Sequence, residues 1–258
     1  MKKVIQKFAS LFGVRFIRTE IWRDYAARKV FWEAMREFIK EMERLHLKQN
    51  ILEDSRSQLG ADFVALNLFG SKGFFVEFGA ADGLENSNTY LLEQSGWTGI
   101  LAEPSELNLE NLKINRNSIL DHRAVWSSSN ESLSFIDVNP TRSSQNSSLL
   151  GFENENFRST DFRTYQVKTV SLNDLLEEHG APEFIEFLSI DTEGSELSIL
   201  ESFNFQKHQF GLIAIEINSD EKRRVSIENL LTKEGYVRHF EEFSRWDDWY
   251  VHRSLLIR

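Results

Sequence analysis

The stretch FFVEFGAADGLENSNT, residues 74–89, places an acid, two glycines and a second acid at the exit of an apolar run. Phe74, Phe75, Val76 and Phe78 read as a buried strand interrupted by Glu77, and Gly70, Ser71, Lys72 and Gly73 make the turn that leads into it. In open α/β sheets, ligands lie beyond the carboxyl ends of the strands. The spacing E-x-G-x-x-x-G through Glu77, Gly79 and Gly83 therefore marks a strand tip where a ligand can meet bare main chain, because two residues there lack a β-carbon.

Outward from this point, short apolar runs alternate with helical stretches. SNTYLLEQSG (87–96) reads as a helix closed by Gly96, TGILAEP (98–104) as a second strand stopped by Pro104, SELNLENLKINR (105–116) as a helix capped by Ser105, and HRAVWS (122–127) as a third strand. ESLSFIDVN (131–139) alternates with period two and suits a hairpin or edge strand. SLNDLLEEHG (171–180) is a helix from Ser171 to Gly180, EFIEFLSID (183–191) a fourth strand, and GSELSILESF (194–203) the start of another helix. GLIAIEIN (211–218), SIENLLTKEG (226–235), YVRHFE (236–241) and WYVHRSLLI (249–257) complete the pattern as strand, helix and two strands. This alternation predicts an α/β fold with a mostly parallel sheet, right-handed crossovers and helices on both faces.

The chain has 258 residues, no cysteine and a formal charge of −10. That length suits one large domain or two small ones. The absence of cysteine excludes disulfides, thiolate zinc sites and cysteine nucleophiles, and it fits a reducing, cytoplasmic setting. The negative balance disfavours nucleic acid as a partner. Residues 1–40 nevertheless hold ten Lys or Arg against four acids, a local charge of +6 that leaves −16 for the remainder. From Ile21 to Leu47 apolar residues recur at steps of three and four without Gly or Pro, as in a long amphipathic helix. Residues 1–70 are thus expected to form a basic helical extension, docking on the domain, on a second copy of the chain or on a membrane surface, with 71–258 as the main domain.

A dinucleotide site would want G-x-G-x-x-G and no acid beside the pyrophosphate. Here Ala81 breaks that pattern, and Glu77 and Asp82 flank the turn. Carboxylates suit a ligand with an ammonium and a cationic centre, as in S-adenosylmethionine. Glu103, with Pro104 at the tip of the second strand, stands 20 residues beyond Gly83 and can accept hydrogen bonds from ribose hydroxyls. Asn88 and Thr89, with Ser87, open the first helix where a methionine carboxylate can bind. His122, Ala124 and Val125, at the predicted third strand, lie where an adenine can be sandwiched.

A second dense cluster, FLSIDTEGSELSIL (187–200), is followed by IAIEIN (213–218). With VEFGAADGLENSNTYLLE, GWTGILAEPS and VKTVSLNDLLEEHGAP, these motifs resemble the FkbM family of S-adenosylmethionine-dependent methyltransferases over roughly residues 73–251. The resemblance implies a class I, Rossmann-like methyltransferase fold with a seven-stranded sheet. It also implies methylation of a hydroxyl on a saccharide or small metabolite. By that likeness Glu77, Gly79, Ala80, Asp82 and Gly83 form the first cofactor motif, Glu103 is the ribose acid, and Glu77 stands where many members carry aspartate.

Methyl transfer to a hydroxyl needs a proton acceptor close to the reacting oxygen. Asp191, Glu193 and Glu216 lie at the tips of the predicted fourth and fifth strands and are the catalytic candidates. Either Asp191 is the base, or it orients the cofactor's amino group and leaves the proton to Glu193 or Glu216. No metal is required by this reading, although converging carboxylates offer magnesium as an alternative. Glu196 is equally suited to the first turn of the next helix. The polar segment 139–164, with Arg142, Phe157, Arg158, Phe162 and Arg163, is a candidate lid over the acceptor. A non-catalytic scaffold recruited through the basic helix is the alternative function.

Overall fold

The computed structural model of the protein describes residues 55–138, 147–152, 162–217, 220–239, 241 and 247–256. The amphipathic helix expected over 21–47, and Arg142, Phe157 and Arg158 of the expected lid, lie outside the described residues.

Helix α1 (Ala61–Phe69) leads into β1 (Phe74–Phe78), followed by α2 (Tyr90–Gln94), β2 (Thr98–Ala102), α3 (Leu109–Asn115) and β3 (Ile119–Asp121). Four strands come next: β4 (Ala124–Trp126), β5 (Ser132–Val138), β6 (Ser148–Leu149) and β7 (Phe162–Ser171). The chain ends with α4 (Leu172–Glu178), β8 (Phe184–Ile190), α5 (Glu196–Glu201), β9 (Gln209–Glu216), α6 (Glu221–Lys233), β10 (Tyr236–His239) and β11 (Asp247–His252). Among the described residues the main sheet has seven strands in the order β10-β11-β9-β8-β1-β2-β3, and only β11 runs against the others.

The parallel strands are largely apolar because both faces are covered. On one face Val76, Phe78, Ile100, Leu188 and Ile213 pack against Leu172, Leu175 and Leu176 of α4, Ile199 of α5 and Ile227 and Leu231 of α6. On the other, Phe75, Leu101, Phe187, Leu212 and Trp249 pack against Ala61, Phe63, Val64 and Ala65 of α1, Leu91 and Leu92 of α2 and Leu112 of α3. Residues 61–69, which the sequence reading gave to the extension, are therefore part of the domain's core. Among the described residues no helix is long and apolar enough to cross a membrane.

Two local expectations are corrected. The third strand of the main sheet is Ile119–Asp121, whereas Ala124–Trp126 pairs in parallel with β7 in a second sheet ordered β4-β7-β5-β6. The polar stretch after residue 139 also contributes strands to that sheet, including β6 and the start of β7. Ser105 does not cap α3, which starts later, after Asn108. Its hydroxyl instead bonds Asp137 of β5 at 2.6 Å, tying the second sheet to the loop after β2. Ser171 does cap α4, accepting a hydrogen bond from the Asp174 amide.

Gly79 and Gly70 share a positive φ (+77 in each) but have opposite surroundings. A β-carbon on Gly79 would stand 1.7 Å from the Asp191 carbonyl oxygen, whereas one on Gly70 would meet nothing within 4 Å. Gly70 (ψ −155) lies in a backbone region that essentially only glycine adopts, so Gly70→Ala is expected to cost about 1–3 kcal/mol of backbone strain without a clash. Gly79→Ala should prevent folding, because backbone cannot yield as a side chain can. Thermal melts and soluble yield of the two variants compare them directly.

Candidate active site

Strand register builds the site. Phe78 pairs with Ile190, Ile190 with Ile215, and Glu216 with Asp247. The next positions along β1 and β8 continue this row, so Gly79, Asp191, Glu216 and Asp247 stand side by side across four neighbouring strands. Because side chains alternate between faces along a strand, the three acids of that row project from one face. Glu193 joins them from the turn after β8, where its backbone is left-handed (φ +57). Carboxylate oxygens of Asp191, Glu193 and Glu216 all lie within 4.8 Å of one another, a spacing that can hold a divalent cation.

Such crowding is electrostatically costly. Burial, and then the charges of Asp191 and Glu193, raise the Glu216 carboxyl well above its usual range. Burial also raises Asp191, with the charges of Glu196 and Glu77 adding to it. Asp247, desolvated and facing Asp191 and Asp248, is pushed up to about 7. Asp247 was missed from sequence because the last strand was read as starting at Trp249. Its signal was the alternation itself, since Asp247 precedes the inward-facing Trp249 by two residues.

Glu196 is excluded from this cluster by its partners. One of its oxygens accepts from the Thr192 amide (3.2 Å), the Thr192 hydroxyl (3.1 Å) and the Gly194 amide (2.8 Å), and the other pairs with Arg223 at 3.0 Å. It holds the turn that carries Glu193. Gly194 of that turn also touches the second sheet's connection: a β-carbon there would lie 3.0 Å from the Phe152 carbonyl oxygen.

The first tip is built around a buried cation that sequence reading missed. The side chain of Arg116, which follows α3, is fully buried. It reaches the Gly83 carbonyl (3.2 Å), the Ser87 and Thr89 hydroxyls (3.1 and 2.9 Å) and Glu93 (3.1 Å), and lies 3.6 Å from Glu77. Glu77 in turn accepts from the Ser87 hydroxyl (3.1 Å), the Thr89 hydroxyl (2.5 Å) and the Asn88 amide (3.0 Å). Glu77 and Thr89 therefore act by shaping the 79–89 loop from within. The one signal for Arg116 was helical spacing, since it lies four residues after the core residue Leu112.

The glycines have an internal reason as well. A β-carbon on Gly83 would collide with Arg116 and Leu112 at 2.6 Å, so close protein packing demands glycine at both 79 and 83. Asp82 accepts from the Leu84 and Glu85 amides (2.9 and 2.8 Å) and fixes the turn. Ala80 is buried among Phe75, Leu101 and Leu112. Ala124 packs with Phe135, Leu149 and Val167 inside the second sheet, and His122 is exposed.

Glu103 lies directly beyond β2, 4 % exposed, with one oxygen accepting from the Ala81 amide and the other from the Ser105 amide, each at 2.7 Å. Desolvation outweighs these two bonds and, with the charges of Asp137 and Asp191 adding, pushes the carboxyl up to about 7. Pro104 follows, half-buried, its carbonyl 3.4 Å from the Tyr165 hydroxyl.

A family profile described as the methyltransferase FkbM domain matches residues 77–252. The chain belongs to the FkbM methyltransferase family. This FkbM chain is similar in structure to the O-methyltransferase from Bacillus cereus in complex with SAH, at 12% identity and a TM-score of 0.40, covering 96% of each chain. It is also similar to the precorrin-6y C5,15-methyltransferase from Geobacter metallireducens, at 10% identity and a TM-score of 0.39, covering 74% of this chain and 85% of that one. A sequence comparison with curated proteins returned no match.

S-adenosylmethionine is the cofactor of this FkbM domain, and the donor set fits it. A carboxylate offers about four lone-pair directions, and Glu103 uses two on its own backbone, which leaves acceptors for two ribose hydroxyls.

The raised carboxyls set a pH signature. A group whose folded pKa exceeds its unfolded value stabilises the fold below the unfolded value, near pH 4, and loses that contribution as pH rises through the folded one. Asp191→Asn is therefore expected to raise the melting temperature at pH 8, by a few degrees for a gain on the order of 1 kcal/mol. At pH 5 the gain should shrink toward zero. Paired melts at the two pH values check this.

Proposed function

We propose that this protein methylates a hydroxyl group of a saccharide or other small metabolite, with the Asp191, Glu193, Glu216 and Asp247 cluster on the acceptor side. The observation that carries this reading is the convergence of those carboxylates beyond the strand tips, next to the loop held by Glu77 and Arg116. S-adenosylmethionine supplies an electrophilic methyl group on a sulfonium. The chain's residues hold the two reactants in line, which is where much of the acceleration of a displacement can arise. Glu103 binds the ribose, and the 79–83 backbone follows the cofactor.

A carboxyl raised toward neutral pH is suited to take a proton from the acceptor hydroxyl as the carbon–oxygen bond forms. Asp191 is our choice for this base. Burial, with the nearby charges of Glu196 and Glu77 adding to it, keeps its proton affinity high. A second reading has the same carboxylates bind a divalent cation that lowers the acceptor's own pKa, favoured by the 4.8 Å clustering of their oxygens. Calorimetry with magnesium in the presence of S-adenosylhomocysteine separates the two: binding that Glu216→Gln abolishes supports the metal, and no heat supports the base.

The cofactor half is tested by titrating S-adenosylhomocysteine. Glu103 must be ionised to accept from both hydroxyls, and its carboxyl sits at about 7. Affinity is expected to fall as pH is lowered from 8 to 6. Glu103→Gln should bind roughly tenfold more weakly at pH 8, as for the loss of a charge-assisted hydrogen bond, and should lose most of the pH dependence. Unchanged affinity in that variant would overturn the ribose role.

A further inference from the structure

Ser57 lies outside the matched family domain, in the segment that precedes α1, and is 4 % exposed. Its hydroxyl oxygen accepts from two backbone amides that open α1, Gly60 at 3.0 Å and Ala61 at 3.1 Å. A serine oxygen has two acceptor lone pairs and one proton. Both lone pairs are used, so towards any third partner Ser57 can only donate. That partner is Asn88, whose Oδ1 lies 2.6 Å away.

A side-chain amide can in general turn over and exchange its donor and acceptor ends. Here Ser57 removes that freedom, because a turned amide would set an N–H₂ against a hydroxyl with no lone pair left. The Asn88 Nδ2 group is therefore directed away from Ser57, and it donates to Ser189 Oγ at 3.0 Å. Ser189 lies on the same strand face as Asp191, two residues before it. Asn88 itself is half-buried, and its backbone N–H donates to Glu77 at 3.0 Å. Its second Nδ2 hydrogen has no partner among the described residues. A parallel bridge between Ser57 and Asn86, whose backbone is left-handed (φ +63), brings the two segments together.

We infer that Ser57 is a positioning residue for the cofactor: it locks the Asn88 amide with its donor end toward the site, where it bonds the carboxylate of the methionine moiety. This rests on the reading of residues 77–89 as the cofactor loop. An acceptor end in that place would repel the carboxylate, so the polarity of one amide decides whether the contact attracts or repels.

The test compares two probes by calorimetry, S-adenosylhomocysteine and 5′-methylthioadenosine, which keeps the adenosine and sulfur but lacks the amino-acid end. Ser57→Ala is expected to weaken S-adenosylhomocysteine by roughly tenfold, the size of one charge-assisted hydrogen bond, and to leave methylthioadenosine unchanged. Ser57→Thr, which keeps the hydroxyl, should restore wild-type affinity. Asn88→Asp, which keeps an acceptor toward Ser57 but replaces the donor with a charge, should show the same selective loss and covers the case in which Ser57→Ala does not fold. Equal loss for both probes, or loss for neither, overturns the inference while leaving the cofactor reading intact. A wild-type protein that binds neither probe overturns both.

Discussion

The tips of β1 and β8 approach so closely that only a glycine passes between them. Gly79 donates its amide to Ala102 on one side, Asp191 donates its own to the Phe78 carbonyl on the other, and no room remains for a β-carbon. This contact fixes the register of the central strands at the point where they end. Register in turn decides which side chains share a face, so a steric limit at one residue lines up Asp191, Glu216 and Asp247. The acidity of the site follows from main-chain geometry.

The site is assembled from two halves with opposite electrostatic designs. Around the 79–89 loop, Glu77 and Glu93 are balanced by the buried Arg116, which itself lies over the rings of Phe75 and Tyr90 at 5.6 and 6.0 Å from their centroids. That half is charge-paired and laced by hydrogen bonds. Across the sheet, Asp191, Glu216 and Asp247 are each raised first by burial and then by neighbouring carboxylates. A hydrogen-bonded, charge-paired half holds shape, whereas a crowded acidic half stores free energy that a cationic ligand can release.

Much of this was legible in the chain. The alternation of short apolar runs with helices located the parallel strands, and Glu77, Glu103, Asp191 and Glu216 could be placed at strand ends because strands stop where glycine, proline or an acid follows. What escaped depended on three dimensions. Arg116 looks like any arginine ending a helix, and only burial against Glu77 and Glu93 reveals its part. Asp247 needed β11 to be inserted between β9 and β10, which no local pattern states. Ala124 was misplaced because β3 is a short, three-residue strand, and the longer apolar run after it belongs to another sheet. The glycines were found for a partly different reason than the structure supplies, since their missing side chains make way for Asp191, Arg116 and Leu112.

The contact between Phe152 and Gly194 joins the second sheet to the turn bearing Glu193. Phe152 also leans edge-on against Trp126 at 5.4 Å, so the turn, the connection after β6 and strand β4 form one mechanical unit. Any molecule that settles against the second sheet and shifts Phe152 would be felt by a carboxylate one residue from Gly194. The placement of the Glu193 carboxylate is thereby tied to the second sheet through two aromatic rings and one glycine.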